Sequence, residues 1–153
     1  MVDFYGLGIG FPGTPAAPPL PIEKVRLIEQ AVKEDICTEI PDLRPALRFI
    51  PYIQLHEFEG LLFSDPSAFA GAIGQPQHAA GWTRIRNQFA TPEDINGSPD
   101  TAPSKRVLSV YPSYSKVLEG KKAAQAVGLD VMKRECPHFR GWVEQLAGLS
   151  LLP

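Results

Sequence analysis

The stretch Ala46-Leu47-Arg48-Phe49-Ile50-Pro51-Tyr52-Ile53-Gln54-Leu55, running straight into His56-Glu57-Phe58-Glu59, decides how the fold is read. Alternation puts Leu47, Phe49, Pro51, Ile53 and Leu55 on one face and Arg48, Ile50, Tyr52 and Gln54 on the other. Both faces are mostly apolar, so residues 46–55 are expected to form a strand covered on each side. Pro51 has no N–H for a ladder, which predicts a bulge or an edge position there. His56-Glu57-Phe58-Glu59 then stands at the carboxyl end of a buried strand, where open α/β sheets place their ligands.

Those four residues are the first chemical candidate. If they are helical, His56 and Glu59 share a face at i,i+3; if they are extended, Glu57 and Glu59 point the same way. Either arrangement offers His56, Glu57 and Glu59 as catalytic residues, and oxygen ligands of this kind suit Mg²⁺ or Mn²⁺. The plainer alternative is a helix start whose acids complement the dipole. Upstream, Met1-Val2-Asp3-Phe4-Tyr5 reads as the tail of a second strand ending near Asp3. Two strands delivering carboxylates to one sheet edge would hold a metal between Asp3, Glu57 and Glu59. The loop Gly6-x-Gly8-x-Gly10 after it lacks the third glycine of a dinucleotide-binding turn, and Pro12 blocks an immediate helix.

A third candidate is Pro103-Ser104-Lys105-Arg106. Pro suits the first turn of a helix, but Lys and Arg are electrostatically unfavourable there, which points to an anion just outside. Ser104, Lys105 and Arg106, with Lys116 downstream, are therefore the candidates for holding a phosphate or a nucleic acid. A solvated basic face is the alternative.

Outward from these motifs the chain is mostly helical. Residues 21–36 carry Ile22, Val25, Ile28, Val32 and Ile36 as one apolar stripe, with Glu29 and Lys33 as an i,i+4 pair on the other side. Asp65-Pro66 is an N-cap followed by Pro at the first helical position, opening a helix through residue 73. Further helices are expected over 77–89, from Thr91, from the segment 100–106 to residue 110, over 121–127 and over 137–146. Asn96-Gly97 reads as a turn. Two strands alone do not make a stable sheet, so others must pair with them or lie outside the chain. The expectation is a helix-rich α/β fold with a small sheet of roughly two to four strands in a single domain. Residues 1–20 would be a strand stub and Gly/Pro loop, 21–63 the α/β core, and 64–153 the helical part. An open sheet edge would invite a second copy, giving a homodimer.

Composition narrows the function classes. A net charge of −2 over 153 residues excludes a polyelectrolyte and gives no bulk signal for nucleic-acid binding. No apolar run reaches the length of a membrane span and no signal-type segment opens the chain, so a cytoplasmic location with no membrane contact is expected. The two cysteines, Cys37 and Cys136, belong to no metal-binding spacing and read as reduced structural thiols.

Four segments together carry a resemblance. They are Val2-Asp3-Phe4-Tyr5-Gly6-Leu7, the run from Phe49-Ile50-Pro51-Tyr52 through His56-Glu57-Phe58-Glu59 to Gly60-Leu61-Leu62-Phe63, Thr101-Ala102-Pro103-Ser104-Lys105-Arg106, and Cys136-Pro137-His138-Phe139. With them the chain resembles the bacterial family called domain of unknown function 4276. Members of that family look like relatives of Toprim domains, the metal-dependent fold of topoisomerases, primases and overcoming-lysogenization-type nucleases. The resemblance implies a Toprim-like α/β fold and a Mg²⁺-dependent nuclease-type component of a defence-type gene pair, beside a partner ATPase. Asp3 would match the first Asp of the Toprim Asp-x-Asp, while Tyr5 stands where the second belongs; Glu57 and Glu59 would supply the missing ligands. His56 would orient a ligand or move protons. The family's early Val-Glu-Gly-x-Thr-Glu turn and its helix are absent, so the chain is expected to lack the first strand and helix of the fold and to be weak or inactive as an enzyme. The competing expectation is a non-catalytic domain that docks on the ATPase or senses nucleic acid, its carboxylates structural.

Overall fold

The computed structural model describes residues 2–3, 11–13, 21–96 and 101–149, with Val2, Asp3 and Pro21 described through their backbone alone. The Gly6-x-Gly8-x-Gly10 loop and the Gly97 half of the expected turn lie outside the described residues. Prolines punctuate what is described. Pro21, Pro41, Pro45, Pro66, Pro76, Pro92, Pro103 and Pro137 each open a helix or a 3-10 turn, where a missing N–H costs nothing.

The chain divides into two compact units, Met1–Leu55 with Trp142–Pro153, and His56–Gly141. In the first, helix α1 (Pro21–Glu39) follows the predicted stripe three residues further than expected. Val25 and Ile28 are fully buried against Ile53 and Leu55, with Phe11, Ile22 and Val32 packed around them. A second, one-turn helix α2 (Pro45–Arg48) comes next. The strands are β1 (Val2–Asp3) and β2 (Ile53–Gln54), paired parallel with Val2 opposite Ile53 and Asp3 opposite Gln54.

The ten-residue strand expected over 46–55 is therefore corrected to two residues. Arg44 adopts a left-handed conformation (φ 51°) that closes a 3-10 turn, and Pro45 restarts the chain as a helical turn. Leu47, expected inside, is 59% exposed. Glu29 has a further role. Its Oε1 accepts the Ile53 N–H at 2.8 Å, so it satisfies β2 backbone rather than only decorating a solvated helix face. Tyr52 stacks on Trp142 with ring centroids 4.5 Å apart and donates its hydroxyl to the buried Gln54 amide oxygen at 2.7 Å.

The second unit is helical: α3 (Glu59–Leu62), α4 (Pro66–Ala72), α5 (Ala79–Arg86), α6 (Pro103–Val110), α7 (Lys116–Val127), α8 (Leu129–Glu135) and the start of α9 (Pro137–Ala147). Its core is aromatic. Phe69 stacks on Trp82 at 4.3 Å and meets Tyr114 edge-on at 5.8 Å, with Leu62, Phe63, Ile95 and Val107 fully buried nearby in sequence to these elements. Asp65 caps α4 as expected, its Oδ1 accepting the Ser67 and Ala68 N–H groups at 3.0 and 2.9 Å. Pro92–Asp94, expected to open a helix, stops after one 3-10 turn, held by Asp94 Oδ2 accepting the Thr91 N–H at 2.9 Å. Helix α7 begins five residues before the expected 121, because Ser115 caps it: its Oγ accepts the Leu118 N–H, and Glu119 reaches back to the Ser115 N–H at 2.7 Å. Helix α8 was not expected. The class is helix-rich α/β with very little sheet.

Candidate functional site

His56 follows the buried end of the β2 segment and turns the chain out of it. It sits in the left-handed region at φ 65°, a conformation that costs a non-glycine residue about 1 kcal/mol or more. It is buried, and its Nδ1 lies 2.9 Å from the Asn96 side-chain nitrogen. An amide donating there leaves the ring proton on Nε2. Burial holds the imidazole pKa below its ordinary 6.5, outweighing the nearby charges of Asp94 and Glu57, so the ring is neutral.

The turn that follows His56 separates the two glutamates. It is tight, with the Gly60 N–H donated to Glu57 O and the Leu61 N–H to Phe58 O, both at 3.0 Å. The tetrapeptide is thus neither a regular helix nor a strand. Glu57 reaches to the start of α6, where its Oε2 accepts the Ser104 N–H at 2.8 Å. Glu59 points inward and is almost completely buried. Lys116 Nζ lies 3.0 Å from its Oε2 as an ion pair. Burial pushes the Glu59 carboxyl up, against the opposing pull of Lys116. Tyr114, whose buried hydroxyl has no hydrogen-bond partner among the described residues, is pushed up too, first by burial and then by the Glu59 charge. Gly120 of α7 completes this layer. A Cβ there would stand 3.3 Å from the Tyr114 hydroxyl and 3.4 Å from the Phe58 ring.

The basic candidates are also engaged. The anion expected at the α6 start is the chain's own Glu57, on the Ser104 N–H. Arg106 Nε donates to Thr101 O at 2.9 Å and its guanidinium lies over the Phe89 ring at 5.0 Å. Lys105 faces solvent. Lys116 serves Glu59 and lies 5.7 Å from the Phe58 ring centre.

One carboxylate escaped sequence reasoning. Glu93, 6% exposed, accepts the His138 N–H through Oε2 and the Phe139 N–H through Oε1, both at 2.9 Å, and so caps α9. Burial pushes its carboxyl up, against those two bonds. The available signal was negative: Ala102-Pro103 and Cys136-Pro137 open helices with no capping side chain at the residue before proline, so each start had to borrow an acceptor from elsewhere. Cys136 itself is buried 3.4 Å from Ser64 Oγ, and burial pushes its thiol up to about 12, as an inert structural thiol should be.

Divalent metal is the cofactor that the sequence expectation names. Among the described residues no three His, Cys, Asp or Glu side chains gather into one metal-holding group, and the Asp3 side chain lies outside them. At Glu59 an ammonium already fills the place of a cation. The described carboxylates alone do not fit a Mg²⁺ or Mn²⁺ ion.

Among the described residues no helix is long and apolar enough to cross a membrane. No curated protein and no solved structure matches the chain. The four motifs are tied together in part by carboxylate bonds, Glu57 joining the His56 segment to the Ser104 segment and Glu93 reaching the His138 segment. They lie within the match of one family model, and over residues 1–147 the chain belongs to the family described as Domain of unknown function (DUF4276).

Proposed function

We propose that the chain is a docking or sensing domain, not a self-sufficient metal enzyme, and that its acidic residues organise a binding scaffold. One observation carries this reading. Glu57, the carboxylate best placed for chemistry, accepts the Ser104 N–H at 2.8 Å and so welds the turn after β2 to the start of α6. Glu59 supports it, being buried against Lys116. The partner class implied by the family resemblance is an ATPase or a nucleic acid. The test is titration of Mn²⁺ into the whole chain, followed by calorimetry, beside Glu57→Gln. The expected result is no saturable heat in either protein. Saturable binding that Glu57→Gln abolishes overturns the reading.

A second reading, the Mg²⁺- or Mn²⁺-dependent nuclease of Toprim type, draws support from His56. A buried neutral imidazole, strained at φ 65° and flanked by Glu57 and Asp94, is the kind of residue that active sites keep. In that reading Asp3, Glu57 and Glu59 are the ligands, while Ser104, Lys105, Arg106 and Lys116 face the phosphates. Incubation with plasmid and linear DNA or RNA plus Mn²⁺ decides it. Cleavage lost in both His56→Asn and Glu57→Gln supports the nuclease; intact substrate at high protein concentration ends it.

A further inference from the structure

Resting on the docking reading, we infer that the groove between Phe58 and helices α7 and α8 receives an acidic amphipathic helix from a partner protein. The groove encloses about 580 Å³. Phe58, Val117, Leu129 and Met132 form its apolar lining, and its charged lining residues, Lys116 and Lys121, are both cationic. Its rim is unusually apolar for a surface. Val117 is 86% exposed and Leu129 53%, and Leu118, the next residue of α7, is 71% exposed. Large aliphatic side chains clustered this way on a surface mark an interaction site.

The chemistry selects the occupant. A small molecule would need most of its surface enclosed, and a rim residue as open as Val117 does not enclose one. An added strand would need a free sheet edge, and the groove is walled by helices and one aromatic ring. Nucleic acid would meet only two cations across an apolar floor. A helix laid in the groove satisfies both features: its apolar stripe fills the floor and its flanking acids meet Lys121 and share Lys116 with Glu59. Both charges of one sign make an acidic partner the complementary one.

The test uses the whole chain and a fluorescein-labelled, stapled model helix of about 15 residues, with leucines at i, i+3, i+4 and i+7 and glutamates elsewhere. Controls are a scrambled version and one with lysine for every glutamate. Anisotropy should show saturable binding of the acidic helix, at least tenfold tighter than either control. Leu129→Asp should weaken it at least tenfold, as should Val117→Asp, whose side chain is too exposed to threaten folding. Lys121→Glu should weaken the acidic helix and strengthen the basic one. Equal binding of acidic and scrambled helices overturns the inference, as does indifference to both aspartate variants. Sedimentation showing a dimer that Val117→Asp disperses would also overturn it, because a second copy would then be the occupant. None of these outcomes depends on the Mn²⁺ titration, so the two readings fail separately.

Discussion

Helices α6 and α9 begin in the same way and are capped to different depths. Each has Pro at its first position, preceded by a residue with no capping oxygen, Ala102 in one and Cys136 in the other. Each borrows a glutamate from more than forty positions earlier in the chain, Glu57 and Glu93 respectively. Glu93 spends both oxygens on two N–H groups and is buried; Glu57 spends Oε2 on one and is half-buried. The difference separates a carboxylate committed to structure from one with capacity to spare. Of the two, Glu57 is the one with an oxygen to spare.

The sharpest way to break the comparison is at α9. Glu93→Ala removes the acceptor of two N–H groups at a buried helix start and should lower unfolding free energy by about 3 kcal/mol in urea titration. Glu93→Gln, which keeps one acceptor oxygen, should recover part of that. A loss below about 0.5 kcal/mol, the size of an ordinary surface change, would mean that the α9 cap carries no weight.

Next in size is the pair between α3 and α7. Lys116→Met strands the buried Glu59 carboxylate and should cost about 2 kcal/mol, less than a fully buried pair because the lysine side chain is 49% exposed. Pairing it with Glu59→Gln should restore most of the loss in a double-mutant cycle. If the losses simply add, the two groups do not act as a unit.

Glu57→Ala should come third, at about 1 kcal/mol, the usual worth of an N-cap. A loss equal to that of Glu93→Ala would erase the distinction drawn above and make both carboxylates purely structural.

These caps also mark where sequence reading reaches and where it stops. Local signals were legible. The Val25 and Ile28 stripe of α1, the Asp65 cap of α4 and the buried thiol of Cys136 all follow from residues within one or two turns of one another. The bond from the Ile53 N–H to Glu29 was not legible, because the two lie 24 residues apart and spacing suggests only near neighbours such as Lys33. The strand over 46–55 failed because apolar alternation outvoted Pro45, whose fixed φ starts a helical turn. At His56-Glu57-Phe58-Glu59 no periodicity distinguishes a left-handed histidine from a helix start. The two carboxylates part in the tight turn after it, Glu57 to the Ser104 N–H and Glu59 to Lys116.

The smallest effect is a slope. Unfolded His56 takes up a proton near the ordinary 6.5, while the folded ring, desolvated, resists it to lower pH. Below 6.5 the unfolded chain binds more protons, so acidification removes stability that is fully present above that value. Glu59 and Glu93 act in the opposite sense. Their folded pKa values are raised, so their contribution falls as pH rises above the ordinary 4.5. His56→Asn isolates the first effect, since asparagine tolerates the left-handed backbone and does not titrate. Thermal unfolding of the two proteins, followed downward through 6.5, should show the parent losing stability relative to the variant. A constant gap across that range would mean that the ring is solvated and takes up its proton equally in both states. The strained imidazole would then lose its standing as a candidate for chemistry.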